Sequence, residues 1–202
     1  MADETVAERV DKRARSRRAV LALALGCAIA LIVTAVFFAV RPGPNSATVT
    51  NPAVSGRSVG SALPVHFRLA RLGGGKPVVL WSLVKGRPSV VNLFASWCPA
   101  CARELDAFGR VSASVGSKVA FVGVDTSEND PARSEQLLSQ AKVRFPVARD
   151  TASLEVAGSW GVTDLPVTFF VRSNGTIARE VLGAESLSVL RRNVAALLKG
   201  AS

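Results

Sequence analysis

The stretch Val91-Asn92-Leu93-Phe94-Ala95-Ser96-Trp97-Cys98-Pro99-Ala100-Cys101 decides the fold that this 202-residue sequence predicts. Its first part is rich in β-branched and aromatic residues, which is typical of a buried strand, and residues 102–111 are compatible with a helix. We therefore expect a strand that leads into a helix, with Cys98 in the first helical turn. Free backbone N–H groups and the positive end of the helix dipole favour a thiolate there. Cys101 follows almost one turn later on the same face, so the two sulfurs can form a disulfide.

The segments around this stretch alternate between strand-like and helix-like patterns. Strands are predicted at 65–72, 77–80, 89–95, 118–124, 145–148, 165–172 and 176–182. Helices are predicted after Cys98, at 132–143, from Thr151 as the cap to 159, and from 186 to 199. The first two strands and the last two read as hairpins, the latter joined by Asn174-Gly175. The sequence thus predicts an α/β domain whose mixed central sheet is flanked by helices and extended by an N-terminal hairpin.

The N-terminal part of the chain has a different composition. Residues 1–18 predict a basic cytoplasmic stub, and residues 19–40 carry no charge and are long enough to cross a hydrocarbon core of roughly 30 Å as a transmembrane helix. Basic residues cluster before this segment, so the positive-inside rule places the N-terminus in the cytoplasm. Residues 41–62 have the composition of a flexible linker. Residues 63–202 are then an extracytoplasmic domain, held at the cell membrane by a single pass.

Two other interpretations of residues 19–40 stay open. A cleaved secretory signal normally has an apolar core of about 7–15 residues before a small-residue cleavage site. This segment is longer, and no well-placed Ala-x-Ala site closes it. A lipoprotein signal could end at Ala24-Leu25-Gly26-Cys27, although the apolar run continues well past Cys27. All three interpretations export the domain that follows.

The formal net charge of +10 raises the question of a nucleic-acid partner. The domain has no run of like charges with interleaved aromatic residues and is predicted outside the cytoplasm, so we expect a solvated basic surface and no nucleic acid. Attraction to anionic lipid headgroups is the alternative. Of the three cysteines, Cys27 lies in the apolar segment, which leaves Cys98 and Cys101 as one pair. A single pair in an exported domain favours redox cycling over a disulfide scaffold.

At these residues the sequence resembles the thioredoxin superfamily, and within it the membrane-anchored TlpA/ResA-like (DsbE-like) thiol–disulfide oxidoreductases. The resemblance rests on the stretch quoted above, on Glu104, and on the later stretch Gly161-Val162-Thr163-Asp164-Leu165-Pro166-Val167-Thr168-Phe169-Phe170. It covers roughly residues 63–202. It implies a thioredoxin-like fold and an enzyme that needs no cofactor beyond its redox-active cysteine pair.

The resemblance also implies roles for individual residues. Cys98 is the expected nucleophile that forms a mixed disulfide with a partner, and Cys101 is the cysteine that resolves it. Trp97, Leu165 and Pro166 are the expected substrate-binding residues, with Pro166 in the place of the family's cis-proline.

Five further positions bear on the cysteines. Glu104 matches a glutamate thought to assist proton transfer in ResA-like members, and a solvent-facing helix acid is the other interpretation. Asn92 stands where thioredoxin carries a buried carboxylate, which favours the proton role for Glu104. Pro99 and Ala100 add no charge and withhold one backbone N–H, so they act mainly on geometry. Asp106 is a departure, because many relatives have proline there.

The resemblance implies reduction of cysteines in exported proteins, for example those of apocytochrome c, with a membrane thiol reductant that recharges the pair. Oxidation of exported proteins is the alternative, because the reduction potential decides the direction. A metal-binding chaperone is a further hypothesis, but His66 is the only histidine and is expected to be a hairpin residue, so we predict no metal site. A peroxiredoxin-type peroxidase is disfavoured by Leu93-Phe94-Ala95-Ser96-Trp97, where peroxiredoxins carry Pro and a Thr or Ser.

Overall fold

The elements of the fold follow the hydrophobic pattern of the sequence. The computed structural model describes residues 57–151 and 154–200. Its strands are β1 (Arg68–Arg71), β2 (Val78–Val79), β3 (Ser89–Phe94), β4 (Ala120–Thr126), β5 (Val147–Asp150), β6 (Val167–Val171) and β7 (Ile177–Leu182). Its helices are α1 (Leu80–Val84), α2 (Pro99–Val115), α3 (Pro131–Gln140), α4 (Glu155–Trp160) and α5 (Leu187–Lys199), and Gly116–Lys118 forms a 3-10 turn.

The strands form one mixed sheet in the order β2-β1-β5-β4-β3-β6-β7. The β3–β4 and β4–β5 pairs are parallel, whereas the β1–β2, β1–β5, β3–β6 and β6–β7 pairs are antiparallel. The predicted mixed sheet and both predicted hairpins are therefore confirmed. All six residues of β3 are buried, and the cysteine motif follows at the carboxyl end of this central strand.

The start of α2 differs by one residue from the prediction. Cys98 is the N-cap of the helix rather than a member of its first turn, and Pro99 is the first helical residue. Proline is favoured there because its missing N–H would have no partner within the helix. The cap position still points the free N–H groups of the helix at the Cys98 sulfur. The face that α2 buries carries Cys101, Leu105, Phe108 and Val111.

Apolar side chains cover both faces of the sheet. On one face Trp160 is fully buried, and its ring meets that of Phe169 edge-on with centroids 5.1 Å apart. The indole N–H of Trp160 donates to the carbonyl oxygen of Pro64 (2.8 Å), so its polar atom is satisfied. On the other face Phe108 of α2 meets Phe121 of β4, also edge-on, at 6.2 Å. The contact between Phe108 and Phe121 holds α2 against the sheet.

The cap of α4 corrects a prediction, because Thr151 does not hold this position. The carboxylate of Asp150 accepts hydrogen bonds from the backbone N–H groups of Val156 (3.1 Å) and Ala157 (2.9 Å). A charged acceptor binds free helix N–H groups more strongly than a hydroxyl does. The helix therefore begins later than predicted, at Glu155.

The predicted stub at 1–18, the predicted span at 19–40 and most of the predicted linker lie outside the described residues. Within 57–151 and 154–200, no helix combines the length and apolar character needed to cross a membrane. The N–H of Gly60 donates to the carbonyl oxygen of Ile177 (2.8 Å), and Ala62 forms a bridge with Thr176. Contacts of the domain thus begin a few residues before position 63.

Gly109 marks a close approach between α2 and the chain after α3. A Cβ atom at this position would lie 2.5 Å from the backbone oxygen of Ala141. Because backbone must then move, Gly109→Ala is expected to lower the free energy of unfolding by about 1–3 kcal/mol. Gly158→Ala in α4 is the matched control, since nothing lies within 4 Å of its new methyl group. Urea denaturation compares the two variants, and equal midpoints would contradict this packing.

Candidate active site

Cys98 and Cys101 form a disulfide at the N-terminus of α2, with Cα atoms 5.3 Å apart. Cys98 is 5% exposed and Cys101 is 0% exposed, so the Cys98 sulfur is the one that a partner can reach. The backbone N–H of Cys101 donates to the Cys98 sulfur (3.2 Å). In the reduced form this donor and the helix dipole favour a Cys98 thiolate. The two sulfurs therefore differ in both access and charge preference.

The loop before β6 lies against the exposed edge of the disulfide. The carbonyl oxygen of Leu165 is 3.8 Å from the Cys98 sulfur. The peptide bond between Leu165 and Pro166 is cis, as the resemblance implies. Pro166 is buried and Leu165 is half-buried. The fold thus brings the two motifs of the sequence together at one sulfur.

An apolar groove of about 420 Å³ lies beside the disulfide. Its large apolar walls are Trp97, which is 51% exposed, and Leu154, which is 37% exposed. Pro99 and Ala100 also line it, and among the residues that the structure describes Asp164 is the one charged side chain that does so. A larger hollow of about 530 Å³, lined partly by β1 and α3, includes neither cysteine. The groove is therefore the surface that can hold a partner polypeptide against Cys98.

The loop between β4 and α3 braces the residues just before Cys98. The carboxylate of Glu128 accepts a hydrogen bond from the backbone N–H of Ser96 (2.9 Å), and the indole N–H of Trp97 donates to the carbonyl oxygen of Ser127 (2.8 Å). Burial opposes ionisation of Glu128, but hydrogen bonds from Ser96, Asp130 and Ser134 outweigh it and lower the pKa of Glu128. This brace was not predicted from the sequence.

Glu128→Ala is expected to slow thiol–disulfide exchange roughly tenfold, because the loop that carries Trp97 and Cys98 loses an anchor and small misplacements at a reacting centre are costly. Glu128→Gln is the control, since its amide oxygen can still accept the Ser96 N–H. Stopped-flow exchange with a peptide disulfide measures the rate. An alanine variant as fast as the glutamine variant would contradict the brace.

Glu104 lies one turn after Cys101 and is fully buried, so the interpretation as a solvent-facing acid is wrong. Its Oε1 accepts a hydrogen bond from the amide of Asn92 (2.8 Å), and its Oε2 accepts one from the backbone N–H of Glu185 (2.9 Å). Burial raises the pKa of Glu104 to about 7, against these two hydrogen bonds and with a further rise from the Glu185 carboxylate. Glu104 can hold or release a proton near neutral pH.

Asp125, at the end of β4, is a second buried acid, and its burial was not predicted. It is 1% exposed; its Oδ1 accepts the hydroxyl of Ser134 (2.9 Å) and its Oδ2 has no partner. Burial raises the pKa of Asp125 to about 7; the Ser134 hydrogen bond and Arg149 oppose the rise, and Glu128 adds to it. An acid after an apolar strand normally marks the solvent-exposed end of that strand, and only the tertiary packing shows otherwise.

His66 belongs to the N-terminal hairpin region, as predicted, rather than to the cysteine site. It is exposed, and its ring lies 5.7 Å from that of Trp81. Among the residues that the structure describes, no group of three or more His, Cys, Asp or Glu side chains is placed to hold a metal ion.

Curated relatives of the chain are named as thiol–disulfide oxidoreductases or thiol:disulfide interchange proteins. The chain is 27% identical over 113 residues to the thiol-disulfide oxidoreductase ResA of Bacillus thuringiensis, a match that covers 55% of this chain and 64% of that one. The chain thus spans less than two thirds of the length of this relative. The predicted resemblance to ResA-like and DsbE-like proteins is confirmed at this level.

Two solved structures share the fold. DsbF of MTB is 32% identical, with a TM-score of 0.59, and the match covers 66% of this chain and 96% of that one. A secreted disulfide oxidoreductase of Mycobacterium tuberculosis, homologous to E. coli DsbE, is 29% identical, with a TM-score of 0.60 and coverage of 66% and 97%. The predicted thioredoxin-like α/β fold is therefore confirmed for the described domain.

The model of the AhpC/TSA family matches residues 59–180 of the sequence. This range contains the strands β1 to β6, the cysteine motif at the start of α2, the buried Glu104 and the loop with the cis-proline. The match covers more than half of the residues, so the chain belongs to the AhpC/TSA family.

Proposed function

We propose that this protein is a membrane-anchored, extracytoplasmic thiol–disulfide oxidoreductase that exchanges disulfides with cysteines of exported proteins. The observation that carries the proposal is the asymmetric disulfide: Cys98 lies at the helix N-terminus beside an apolar groove, whereas Cys101 is fully buried. In this arrangement Cys98 can form a bond with a partner's sulfur, whereas Cys101 can react only with the sulfur of Cys98. The names of the relatives support the same chemistry.

The two cysteines alone account for the electrons that are transferred and for the bonds that form and break in the exchange. In the reduced chain the Cys98 thiolate attacks one sulfur of a substrate disulfide, and the other substrate sulfur leaves as a thiolate that takes a proton. Cys101 then attacks the Cys98 sulfur in the mixed disulfide and releases the second substrate sulfur. The substrate gains two electrons and two protons, and the chain ends with the Cys98–Cys101 disulfide.

Of the three residues expected to bind substrate, Trp97 and Leu165 are proposed to contact it, and Pro166 is proposed to support their surface from beneath. The exposed ring of Trp97 offers apolar contact on one wall of the groove. The Leu165 carbonyl stands beside the Cys98 sulfur and can accept a backbone N–H of a bound polypeptide. Pro166 is buried beneath it, so it holds this loop rather than meeting the substrate. A cysteine flanked by apolar residues would fit this surface best.

The proposed direction is reduction, with cysteines of proteins such as apocytochrome c as substrates and a membrane thiol reductant as the source of electrons. The similarity to ResA-like proteins and the apolar segment at 19–40 support this placement at the membrane. Oxidation of exported proteins is the alternative direction. The same two cysteines serve both directions, and the reduction potential decides between them.

The reduction potential of the Cys98–Cys101 couple tests the direction. The purified full-length chain is equilibrated in dithiol buffers of graded potential, and its free thiols are trapped by alkylation. A midpoint near that of thioredoxin, about −270 mV, would support a reductase, whereas one near that of DsbA, about −120 mV, would support an oxidase. Reduction of insulin disulfides by the reduced chain tests the exchange itself, and failure with insulin and with every small dithiol would overturn the proposed function.

A further inference from the structure

Glu104 and Glu185 form a buried pair of carboxyl groups between α2 and the start of α5. Glu104 is 0% exposed and Glu185 is 3% exposed. The backbone N–H of Glu185 donates to Glu104 Oε2 (2.9 Å), so the two residues are joined although they lie far apart in the sequence. Neighbouring carboxylates repel each other where water is excluded. A negative charge on Glu185 therefore disfavours a second negative charge on Glu104.

The surroundings of the two carboxyl groups differ in charge. Glu104 receives its other hydrogen bond from the neutral amide of Asn92, and the charged group that faces it is Glu185 itself. Glu185 accepts a hydrogen bond of 2.6 Å from the amide of Asn193 on α5 and also faces the positive charge of Arg179 on β7. Burial raises the pKa of Glu185, but Asn193 and Arg179 oppose that rise. Negative charge is thus better tolerated on Glu185 than on Glu104.

Glu185 is not a carboxylate with all its hydrogen bonds made. Its Oε1 is buried and has no hydrogen-bond partner. An unpaired oxygen of a buried charged group is costly. The hydrogen bond from Asn193 and the positive charge of Arg179 offset part of this cost, so they favour the ionised form of Glu185 beside Glu104.

The cysteine pair gives a use to a proton held at Glu104. When a dithiol reduces the Cys98–Cys101 disulfide, the dithiol gives up two electrons and two protons. Both electrons pass to the pair; one proton goes to solvent while Cys98 stays a thiolate, and the Cys101 sulfur ends with the other. Cys101 is fully buried, so its leaving thiolate must receive this proton from a group inside the protein. Glu104 lies one turn further along the same helix. A protonated Glu104 can supply the proton and then recover one from the reductant's thiols by way of solvent.

We propose that Glu185 is a positioning residue that carries the negative charge of this pair and so keeps the proton on Glu104, ready for the Cys101 sulfur. The charge assignment stands on the contacts of the two carboxyl groups. The use of the proton rests on the proposed function.

Infrared titration of the oxidised full-length chain tests the charge assignment, since disulfide-bonded cysteines do not titrate. The acid band that disappears in Glu104→Gln identifies protonated Glu104. Glu185→Gln keeps the backbone N–H that Glu104 accepts, so it removes the charge alone. We expect it to lower the midpoint of the Glu104 band by about one pH unit. Asp106→Asn, an exposed acid on the same helix, is the control and should leave the midpoint unchanged. An unchanged or raised midpoint in Glu185→Gln would overturn the proposal.

A second variant guards against misfolding of the first. Asn193→Ala removes the donor to Glu185 without touching Glu104, so it should lower the Glu104 midpoint by a smaller amount, and no shift would count against the proposal. The pH dependence of the exchange rate then distinguishes a failure of the proposed function from a failure of the role proposed for Glu185. A shifted band without any exchange activity would refute the proposed function alone. An active chain whose Glu185→Gln variant keeps its band midpoint and its pH profile would refute the role of Glu185 alone.

Discussion

Cys98→Ser is expected to reduce turnover of a peptide disulfide to the uncatalysed background. A serine hydroxyl is not ionised at neutral pH and forms no disulfide, so no mixed intermediate can arise. Cys101→Ser should also end turnover, but by a different route. Its Cys98 can still attack, and without a resolving thiol the mixed disulfide accumulates. Cys98 is the cysteine at the groove, and Cys101 is fully buried, which is why the two variants should differ.

Turnover and mass spectrometry together measure this difference. Cys101→Ser should gain the mass of one substrate peptide, and Cys98→Ser should not. Cys27→Ser is the control, since the third cysteine has no part in the proposed exchange and should leave turnover unchanged. An adduct on Cys98→Ser, or steady turnover by either active-site variant, would contradict the assignment of roles.

Glu104→Gln is expected to slow reduction of the Cys98–Cys101 disulfide about a hundredfold, which is the lower end of what a positioned acid contributes. Glutamine keeps the shape, and its single amide oxygen can accept one of the two hydrogen bonds that Asn92 and Glu185 donate to Glu104. It has no carboxyl proton to give to the Cys101 sulfur. In the wild-type chain this reduction rate should fall as the pH rises through about 7, the pKa of Glu104. In Glu104→Gln this fall of the reduction rate with rising pH should disappear. Stopped-flow kinetics from pH 5 to 9 measure both effects, and a variant as fast as wild type would contradict the proton role.

The same group affects stability with a defined sign. The pKa of Glu104 rises from 4.5 to about 7 on folding, so between these values the folded chain binds more protons than the unfolded chain. The free energy of unfolding therefore falls as the pH rises from about 4.5 to about 7. Glu104→Gln should make this slope shallower, and Asp106→Asn should leave it unchanged. The pKa values of Asp125 and Glu185 are also raised. The free energy of unfolding of the Glu104→Gln variant should therefore still fall with pH, but less steeply.

The local sequence was sufficient for the centre of the fold. The run before Trp97 predicted β3, the proline after Cys98 fitted a helix start, and Asn174-Gly175 predicted the last hairpin. Each depends on neighbours in the chain, because side-chain burial in a central strand and backbone geometry in a tight turn are set by residue type. The prediction of a cis bond before Pro166 depended on the resemblance, because only about 5% of the bonds that precede a proline are cis.

The electrostatic part of the site was not predictable in this way. Glu185 lies just before the helix that Ser186 caps, a position that is normally solvated, and it is buried in contact with Glu104 of α2. Asp125 reads as the exposed end of a strand, and only the packing of α3 buries it. At the start of α4 the buried carboxylate of Asp150, and not the side chain of Thr151, accepts the free backbone N–H groups. In each case a polar residue is buried by elements distant in sequence, and no local pattern records that.

The site of the first covalent bond to substrate decides whether Cys98 is the nucleophile of the exchange. The reduced full-length chain is mixed rapidly with a peptide that carries one disulfide, the reaction is quenched in acid within milliseconds, and the adduct is mapped by proteolysis and mass spectrometry. We expect a transient adduct in which the peptide sulfur is bonded to Cys98, and we expect this adduct to decay as the Cys98–Cys101 disulfide forms. A peptide bonded to Cys101, or reduction of the peptide with no adduct on Cys98, would contradict this expectation.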